Sequence, residues 1–379
     1  MNEKTSVLHC SPRIALCLNG LDMIYFHHTR NYRKKRRLGE LKTMCKIPIT
    51  VKKCGLCRGN ALLRYEKMKG YIEGSFFDIY ECSFCNATFV DPLKSDEKIY
   101  DYIYKQVQIV PGYERYYRYS EVVKKVNDPL SFLCNSENVY WAVREALLKY
   151  SPRKDNISIL EIGSGLGYLT YSLNKAGYKT TGLDISSDAV KLAKQKYGDY
   201  YETGNLFVLA ENRKHSYDYV IMTELIEHVE DPKSFIVAAL SLLKEAGKLI
   251  ITTPNKSAAP KGTIWQSDIP SVHLWFLAEE SISYLANDLG KKCEFICFTD
   301  YTKKFYEQAD ITTIDQIQLG SPRLTKEGIV RPVTEASSLK KFFLDLIGFK
   351  GRYYLSYIRR RLKTKEISNR TTTLCAVIS

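Results

Sequence analysis

From residue 157 onward the chain alternates short apolar runs with amphipathic stretches. The runs at 157–162, 217–223 and 248–252 are too short for core helices and mostly apolar, and a β-favouring run at 179–183 joins them. That pattern predicts strands buried on both faces. A shorter strand is expected near 200–202, a further one at 292–298, and a β-favouring apolar run closes the chain at 372–378. A helix is predicted over 187–197, between the second and third strands. Alternation of this kind predicts a mostly parallel sheet with helices on both sides. Upstream, Val139, Trp141, Ala142, Val143, Ala146, Leu147 and Leu148 recur at helical spacing, so residues 95–150 read as helices leading into the sheet. Tyr100, Tyr102, Tyr104, Tyr113, Tyr116, Tyr117 and Tyr119 form a belt there. Packing between helices is their ordinary role, with a few at a substrate mouth.

The polar residues of interest stand where these strands end. The first run closes on Glu161, followed by Gly163, Gly165 and Gly167 and then a helical pattern. Glycine suits a turn that needs positive φ, and it lets a ligand lie against the backbone. The spacing is G-x-G-x-G, not the G-x-G-x-x-G of dinucleotide folds. Glu161 would meet a cationic or hydrogen-donating ligand. Both departures point away from a pyrophosphate and toward S-adenosylmethionine. The second strand ends in Asp184, 21 residues beyond Gly163, near the spacing at which a carboxylate meets a ribose diol.

Eleven cysteines include Cys54-Gly-Leu-Cys57 and Cys82-Ser-Phe-Cys85, two knuckles separated by 24 residues. Four thiolates so placed can reach one tetrahedral zinc. Tyr71, Phe76, Phe77 and Tyr80 between them suit a small hairpin, too small to fold on its own core, so the metal would supply folding energy. No open ligand position is evident, which makes the zinc structural. The remaining cysteines carry no such spacing.

The net charge of +14 is concentrated at the ends. Residues 1–53 hold 12 Lys/Arg against 3 Asp/Glu, and residues 339–370 hold 10 against 2, so the rest of the chain is slightly acidic. A nucleic-acid enzyme would carry its positive field around the cleft, so nucleic acid is not the expected partner. There is no secretory signal and no apolar stretch near the ~20 residues of a membrane span, so eleven cysteines are expected in a reducing cytoplasm. Residues 1–43 include Arg33-Lys34-Lys35-Arg36-Arg37 and lack a clean period. They are either a disordered basic tail or untranslated sequence before a true start at Met44.

Taken together, Leu160-Glu161-Ile162-Gly163-Ser164-Gly165-Leu166-Gly167, Gly182-Leu183-Asp184-Ile185-Ser186, Tyr217-Asp218-Tyr219-Val220-Ile221 and Glu224-Leu225-Ile226-Glu227-His228-Val229-Glu230-Asp231-Pro232 resemble class I S-adenosylmethionine-dependent methyltransferases. The resemblance covers residues from about 130 to 300 and the final strand. It implies an α/β fold: a Rossmann-like seven-stranded methyltransferase sheet with helices on both faces, here preceded by a small zinc-ribbon-like module. The cysteine module, with Phe89-Val90-Asp91-Pro92 and the later Pro270-Ser271-Val272-His273-Leu274-Trp275-Phe276-Leu277, is similar to bacterial sugar and surface-glycan methyltransferases. Those sugar C-methyltransferases carry a further large C-terminal domain, whereas only about 70 residues separate the last two strands here. The domains expected are a tail at 1–43, a zinc module at 44–95, a helical lead-in at 96–150, the methyltransferase domain at 151–300 plus 371–379, and an insertion at 301–370 covering the acceptor site.

The resemblance also implies site roles. Glu161 and the loop at Gly163, Gly165 and Gly167 would hold the methionine part of the cofactor, and Asp184 the ribose hydroxyls. Ile185 would pack on adenine. Asn205 would reach the adenine amino group, in place of the family's usual aspartate. Glu224 would face the sulfonium.

Methyl transfer is an in-line displacement that needs nucleophile and methyl aligned within ~3–3.5 Å, and it calls for a base where the acceptor must lose a proton. Of six histidines, three lie in the tail, leaving His215, His228 and His273. His228, expected at the start of the helix after strand four beside Glu224 and Glu227, is the candidate base. His273 is a candidate for acceptor contact or catalysis. The acceptor class expected is a sugar or other small hydroxylated molecule. Glu-x-x-Glu-His also resembles the metal ligands of small-RNA 2′-O-methyltransferases, with His273 as fourth ligand, which would imply a divalent metal and an RNA acceptor. The same glycine loop and Glu-His segment also fit a quinone-type O-methyltransferase, a family without the cysteine module. An inactive cofactor-binding scaffold would be the non-enzymatic reading. Basic, aromatic residues 339–363 could lie on an anionic membrane at its inner face, which would suit a lipid-linked acceptor. Loss of liposome binding on their removal would test this.

Overall fold

The computed structural model describes residues 50–110, 112–151, 156–259, 269–305, 322–331 and 367–379. The basic tail at 1–43 and the segment 339–363, expected at a membrane surface, lie outside the described residues.

Four strands open the described chain: β1 (Val51–Lys53), β2 (Asn60–Lys69), β3 (Phe76–Cys82) and β4 (Thr88–Asp91). Helices α1 (Glu97–Lys105), α2 (Glu114–Val122), α3 (Pro129–Ser136) and α4 (Asn138–Tyr150) follow. Then come β5 (Ser158–Ile162), α5 (Tyr168–Lys175), β6 (Lys179–Asp184), α6 (Ser187–Tyr197), β7 (Tyr201–Thr203), α7 (Leu206–Asn212), β8 (Tyr217–Thr223), α8 (Pro232–Ser241) and β9 (Leu243–Pro254). The last elements are β10 (Trp275–Phe276), α9 (Glu279–Asp288), β11 (Cys293–Phe295), α10 (Thr299–Phe305) and β12 (Thr373–Ile378). Several helices start where the sequence caps them. Asp128 and Asp231 each precede a proline and accept the N–H of Ser131 and Ser234, and Ser186 accepts that of Ala189.

Seven strands form one sheet in the order β11-β12-β9-β8-β5-β6-β7. The pairs among β9, β8, β5, β6 and β7 are parallel, while β12 runs antiparallel to both its neighbours. Side chains alternate across it with period two. Leu160, Val220, Leu249 and Leu374 enter the core shared with α8, α9 and the cysteine module. Their neighbours Ile159, Ile221, Ile250 and Cys375 enter the opposite core, under α3, α4, α5, α6 and α10. The strand order reverses between β5 and β8, so the carboxyl ends of β5, β6 and β8 open on one crevice.

The expected hairpin between the knuckles is β2–β3, whose pairing is interrupted by two register shifts. The module's sheet has the order β1-β2-β3-β4-β10. Its last strand comes from far downstream: Trp275 pairs with Phe89 and Phe276 with Thr88. The module therefore borrows both a strand and a core, and residues 49–379 form one unit.

Of the insertion expected to cover the acceptor site, residues 301–305, 322–331 and 367–370 are described. The middle segment seats on α1 and the hairpin: Gln106 donates to the Gly328 carbonyl at 2.8 Å, and Leu324 is fully buried against Tyr71, Ile99 and Ile103. This part of the insertion buttresses α1.

Candidate active site

The glycine turn is built as its sequence demands. Gly163, Gly165 and Gly167 have φ of 73°, 50° and 78°. The N–H groups of Gly163 and Ser164 both donate to the Leu183 carbonyl, pinning the turn to the end of β6. Asp184 completes the join. Its Oδ2 accepts the Gly165 N–H at 2.7 Å and its Oδ1 the Ser186 N–H at 2.9 Å. Burial pushes its carboxyl above the usual range, and those amide donors pull it back. Glu161 is 2% exposed and accepts from the Thr170 hydroxyl. Burial raises its carboxyl to about 8.

This turn forms one wall of a cavity of about 1440 Å³. Ile185 lines the same cavity with 76% of its surface exposed, an unusual position for an isoleucine. Asn205 also reaches the cavity, but its Oδ1 accepts the Phe207 N–H at 2.8 Å and caps α7. The oxygen expected to meet an adenine amino group is thus engaged with the backbone.

On the acceptor side, β8 ends at Thr223 and Glu224 takes φ of 49°, a left-handed conformation uncommon outside glycine. That bend breaks the expected helix. Ile226–His228 is a short 3₁₀ turn, and α8 starts only at Pro232. His228 therefore stands before the helix, not at its start. The helical spacing assumed for Glu224, Glu227 and His228 does not hold, and Glu224 is outside the group the others form. That group is Glu227, His228 and His273, whose potential ligand atoms all lie within 4.8 Å of one another. Glu227 is fully buried, with its Oε1 3.8 Å from His228 Nε2. The two imidazoles meet edge to face, 4.5 Å between centroids. His228 Nδ1 lies 2.7 Å from the Val272 carbonyl oxygen, an acceptor, so Nδ1 carries a proton and Nε2 is the ring nitrogen left for proton exchange. Burial, with the Arg115 charge adding to it, lowers His273 to about 3, so this imidazole is neutral at ordinary pH. A neutral imidazole can accept a hydrogen bond or ligate a metal. His215 sits at the turn before β8, its Nδ1 3.0 Å from the Leu243 carbonyl, and does not line the cavity.

The remaining wall comes from α1 and α2. Tyr100, Tyr104, Tyr113, Tyr116 and Tyr119 all line the cavity, whereas Tyr102 packs on Gly328 and Tyr117 faces Lys196. The Tyr104 hydroxyl overhangs the glycine turn: a methyl added at Gly165 would lie 3.0 Å from it. Burial and the Asp184 carboxylate push the Tyr104 phenol well up, so it stays protonated as a donor. Arg115 adds a cation to the wall. Its Nε is 3.0 Å from Glu137 Oε1, and its Nη2 donates to the Tyr116 hydroxyl at 2.7 Å. Reading from sequence places Tyr104 in the helical belt and passes over Arg115. The available signal is the spacing of Tyr100 and Tyr104, four residues apart on a lead-in helix.

The four module cysteines also converge. Sγ atoms of Cys54 and Cys85 are 3.7 Å apart and those of Cys57 and Cys82 3.4 Å, and all four ligand atoms lie within 4.8 Å. Tetrahedral zinc with ~2.3 Å bonds would hold its sulfurs roughly 3.8 Å apart. A disulfide needs ~2.05 Å, and every described cysteine is a free thiol. Backbone N–H groups of Gly59 and Phe84 point at the sulfurs of Cys57 and Cys82. The donor set fits a structural zinc.

A parallel sheet with a reversed last strand, a G-x-G-x-G turn and a carboxylate two residues before it make up a methyltransferase-type α/β fold, and within it residues 136–294 match the family model described as a methyltransferase domain. Over 120 residues the chain is 32% identical to the ubiquinone biosynthesis O-methyltransferase of Hydrogenovibrio crunogenus, covering 30% of this chain and 50% of that protein. It is 28% identical over 171 residues to the human mitochondrial ubiquinone biosynthesis O-methyltransferase, covering 39% and 46%. The chain thus spans about half the length of the curated relatives it matches. Among solved structures, a SAM-dependent methyltransferase from Archaeoglobus fulgidus overlaps 62% of this chain and 92% of its own, at 16% identity and a TM-score of 0.36. No helix among the described residues is long and apolar enough to cross a membrane.

Proposed function

We propose that this chain moves the methyl group of S-adenosylmethionine to a hydroxyl of a small acceptor, a sugar or a similar hydroxylated molecule. One observation carries this: Asp184 and the glycine turn line the same cavity as Glu227, His228 and His273. In this assignment Glu161 and the turn hold the methionine part, Asp184 takes the ribose diol and Ile185 covers adenine. Glu224 lies toward the sulfonium. His228 Nε2 takes the acceptor's proton, Glu227 steadies the imidazolium, and His273 contacts the acceptor. The tyrosines supply flat apolar walls with polar tips, a surface that suits a sugar ring or a phenol. Cys54, Cys57, Cys82 and Cys85 hold a structural zinc, in a reducing compartment. A lipid-linked acceptor, with 339–363 at an anionic membrane, belongs to the same proposal.

A dihydroxybenzene of the quinone type is the rival acceptor, favoured by the names of the curated relatives. A metal-assisted variant has its own support in the Glu227, His228 and His273 group, since two imidazoles and a buried carboxyl are ligands a divalent ion accepts. An RNA acceptor has no such support. Calorimetric titration with S-adenosylhomocysteine, then transfer of labelled methyl to sugar nucleotides and to a dihydroxybenzene with and without EDTA, tests the assignment. No binding of S-adenosylhomocysteine would sink it, and binding without turnover on any acceptor would favour a scaffold. Metal analysis of the intact chain should return one zinc, and none after all four cysteines are replaced by serine.

A further inference from the structure

Among the described residues, a short strap, 270–276, links the cysteine module to the acceptor side of the cavity, and Ser95 adds a contact by donating its N–H to Glu230 Oε1 at 2.8 Å. Val272 offers its carbonyl to His228 Nδ1 at 2.7 Å. His273 faces that same imidazole. The Leu274 N–H donates to the Glu227 carbonyl at 2.9 Å, and the Trp275 Nε1–H donates to the Val229 carbonyl at 3.0 Å. Every residue from 272 to 275 therefore holds, or faces, part of the 227–229 turn.

The other side of the strap belongs to the module. The Val90 N–H donates to the Leu274 carbonyl at 3.1 Å, so Leu274 bridges the module and the turn. The Trp275 ring lies against Phe89, 5.4 Å between centroids, and closes over Gly55, inside the first knuckle. A methyl added at Gly55 would sit 3.0 Å from that ring. The second knuckle is tied in as well, since the Ser281 hydroxyl donates to the Cys85 carbonyl at 2.8 Å. Trp275 is 1% exposed, and its single polar atom is spent on Val229.

We propose that the cysteine module is a positioning element for the acceptor side: the knuckles seat Trp275, and Trp275 with Leu274 fixes the turn that carries Glu227 and His228. Two features give the coupling its direction. The 227–229 segment continues a single 3₁₀ turn, Ile226–His228, that follows a strained Glu224, so its own hydrogen bonds are few and it depends on partners. The glycine turn, by contrast, is held by Leu183 and Asp184. Loosening the module should therefore free the acceptor side and leave the cofactor side unchanged. The proposal rests on the assignment of this cavity as a methyltransferase site, but its test does not require turnover.

The full chain is compared with Gly55→Ala, which keeps all four cysteines and adds one methyl beneath Trp275. Gly55 has no positive φ, so the change acts through the ring and not through the backbone. Trp275→Phe is the second variant, removing the bond to Val229 while keeping an aromatic ring on the knuckle. Hydrogen exchange of peptides spanning 222–232 should be at least fivefold faster in both variants. Exchange across 157–186 and the dissociation constant for S-adenosylhomocysteine should stay within twofold, and the bound metal should be unchanged. Stripping zinc from the unmodified chain should reproduce the exchange pattern. Unchanged exchange at 222–232 in both variants overturns the proposal, and so does a uniform rise across 222–232 and 157–186, which would mean general destabilisation. A wild-type chain that fails to bind S-adenosylhomocysteine would fail the methyltransferase assignment instead, with the exchange result still deciding the coupling.

Discussion

The Nδ1–H of His228 donates to the carbonyl oxygen of Val272 at 2.7 Å. That bond fixes the tautomer and turns the basic Nε2 toward the side where Glu227 lies. A base so oriented typically contributes ~10²–10⁴-fold in rate. His228→Ala should lower kcat by roughly a hundredfold or more, with S-adenosylhomocysteine affinity within threefold of wild type. Single-turnover transfer and calorimetry would measure the two effects. A kcat within fivefold of wild type would reduce His228 to a structural residue.

In the proposed assignment Asp184 would hold the ribose diol with a carboxylate that already accepts the amides of Gly165 and Ser186. Hydrogen bonds to a charged acceptor are worth ~1.5–3 kcal/mol each. Asp184→Ala should weaken S-adenosylhomocysteine binding by roughly a hundredfold and also loosen the glycine turn. Asp184→Asn keeps one acceptor oxygen and should fall between the two. Titration calorimetry of the three proteins would show that order. Equal affinity in all three would remove the carboxylate from the cofactor site.

What the sequence displayed and what it hid follow from how local each cause is. The strands of the main sheet were legible because both faces are buried, so the apolar runs at 217–223 and 372–378 match β8 and β12 within a residue. The glycine turn was legible because backbone conformation is encoded residue by residue. The turn at His228 was not, because the left-handed Glu224 stops a helix that the spacing allowed. The Asn205 side chain fits a cap as well as a ligand contact, and its Oδ1 accepts the Phe207 N–H at the cavity's edge. Strand β10 is two residues long and pairs with β4 across nearly the whole domain, a contact no local pattern announces. Tyr104 reaches the cofactor turn for the same non-local reason.

Gly167 and Gly290 separate backbone strain from crowding. Both have positive φ, 78° and 66°. A methyl on Gly167 would lie 2.7 Å from Ala193 Cβ and from the Tyr201 ring, whereas one on Gly290 would meet nothing within 4 Å. Left-handed strain alone costs ~1–2 kcal/mol, and overpacking adds roughly 1–3 kcal/mol. Gly290→Ala should therefore lose about 1 kcal/mol in urea unfolding, and Gly167→Ala roughly 2–5 kcal/mol. Equal losses would mean that Ala193 and Tyr201 yield without cost.

Glu161 makes the cofactor side pH-dependent. Its carboxyl is raised by burial from 4.5 to about 8 in the folded chain. Between those values the folded state holds a proton that the unfolded chain has released, so stability must fall as pH rises. The contribution is complete below the unfolded value and lost as pH passes the folded one. Glu161→Gln keeps the shape and an acceptor for the Thr170 hydroxyl but cannot titrate. Unfolding free energies measured from pH 5 to 9 should show the wild type losing stability relative to this variant as pH rises. A cationic amino group bound beside Glu161 would reverse the preference and drive the proton off. Titration with S-adenosylhomocysteine at pH 7, in buffers of different ionisation enthalpy, should then show proton release in the wild type and little in Glu161→Gln. Equal proton release in both would take Glu161 out of the methionine end of the site, even if the stability difference followed the predicted sign.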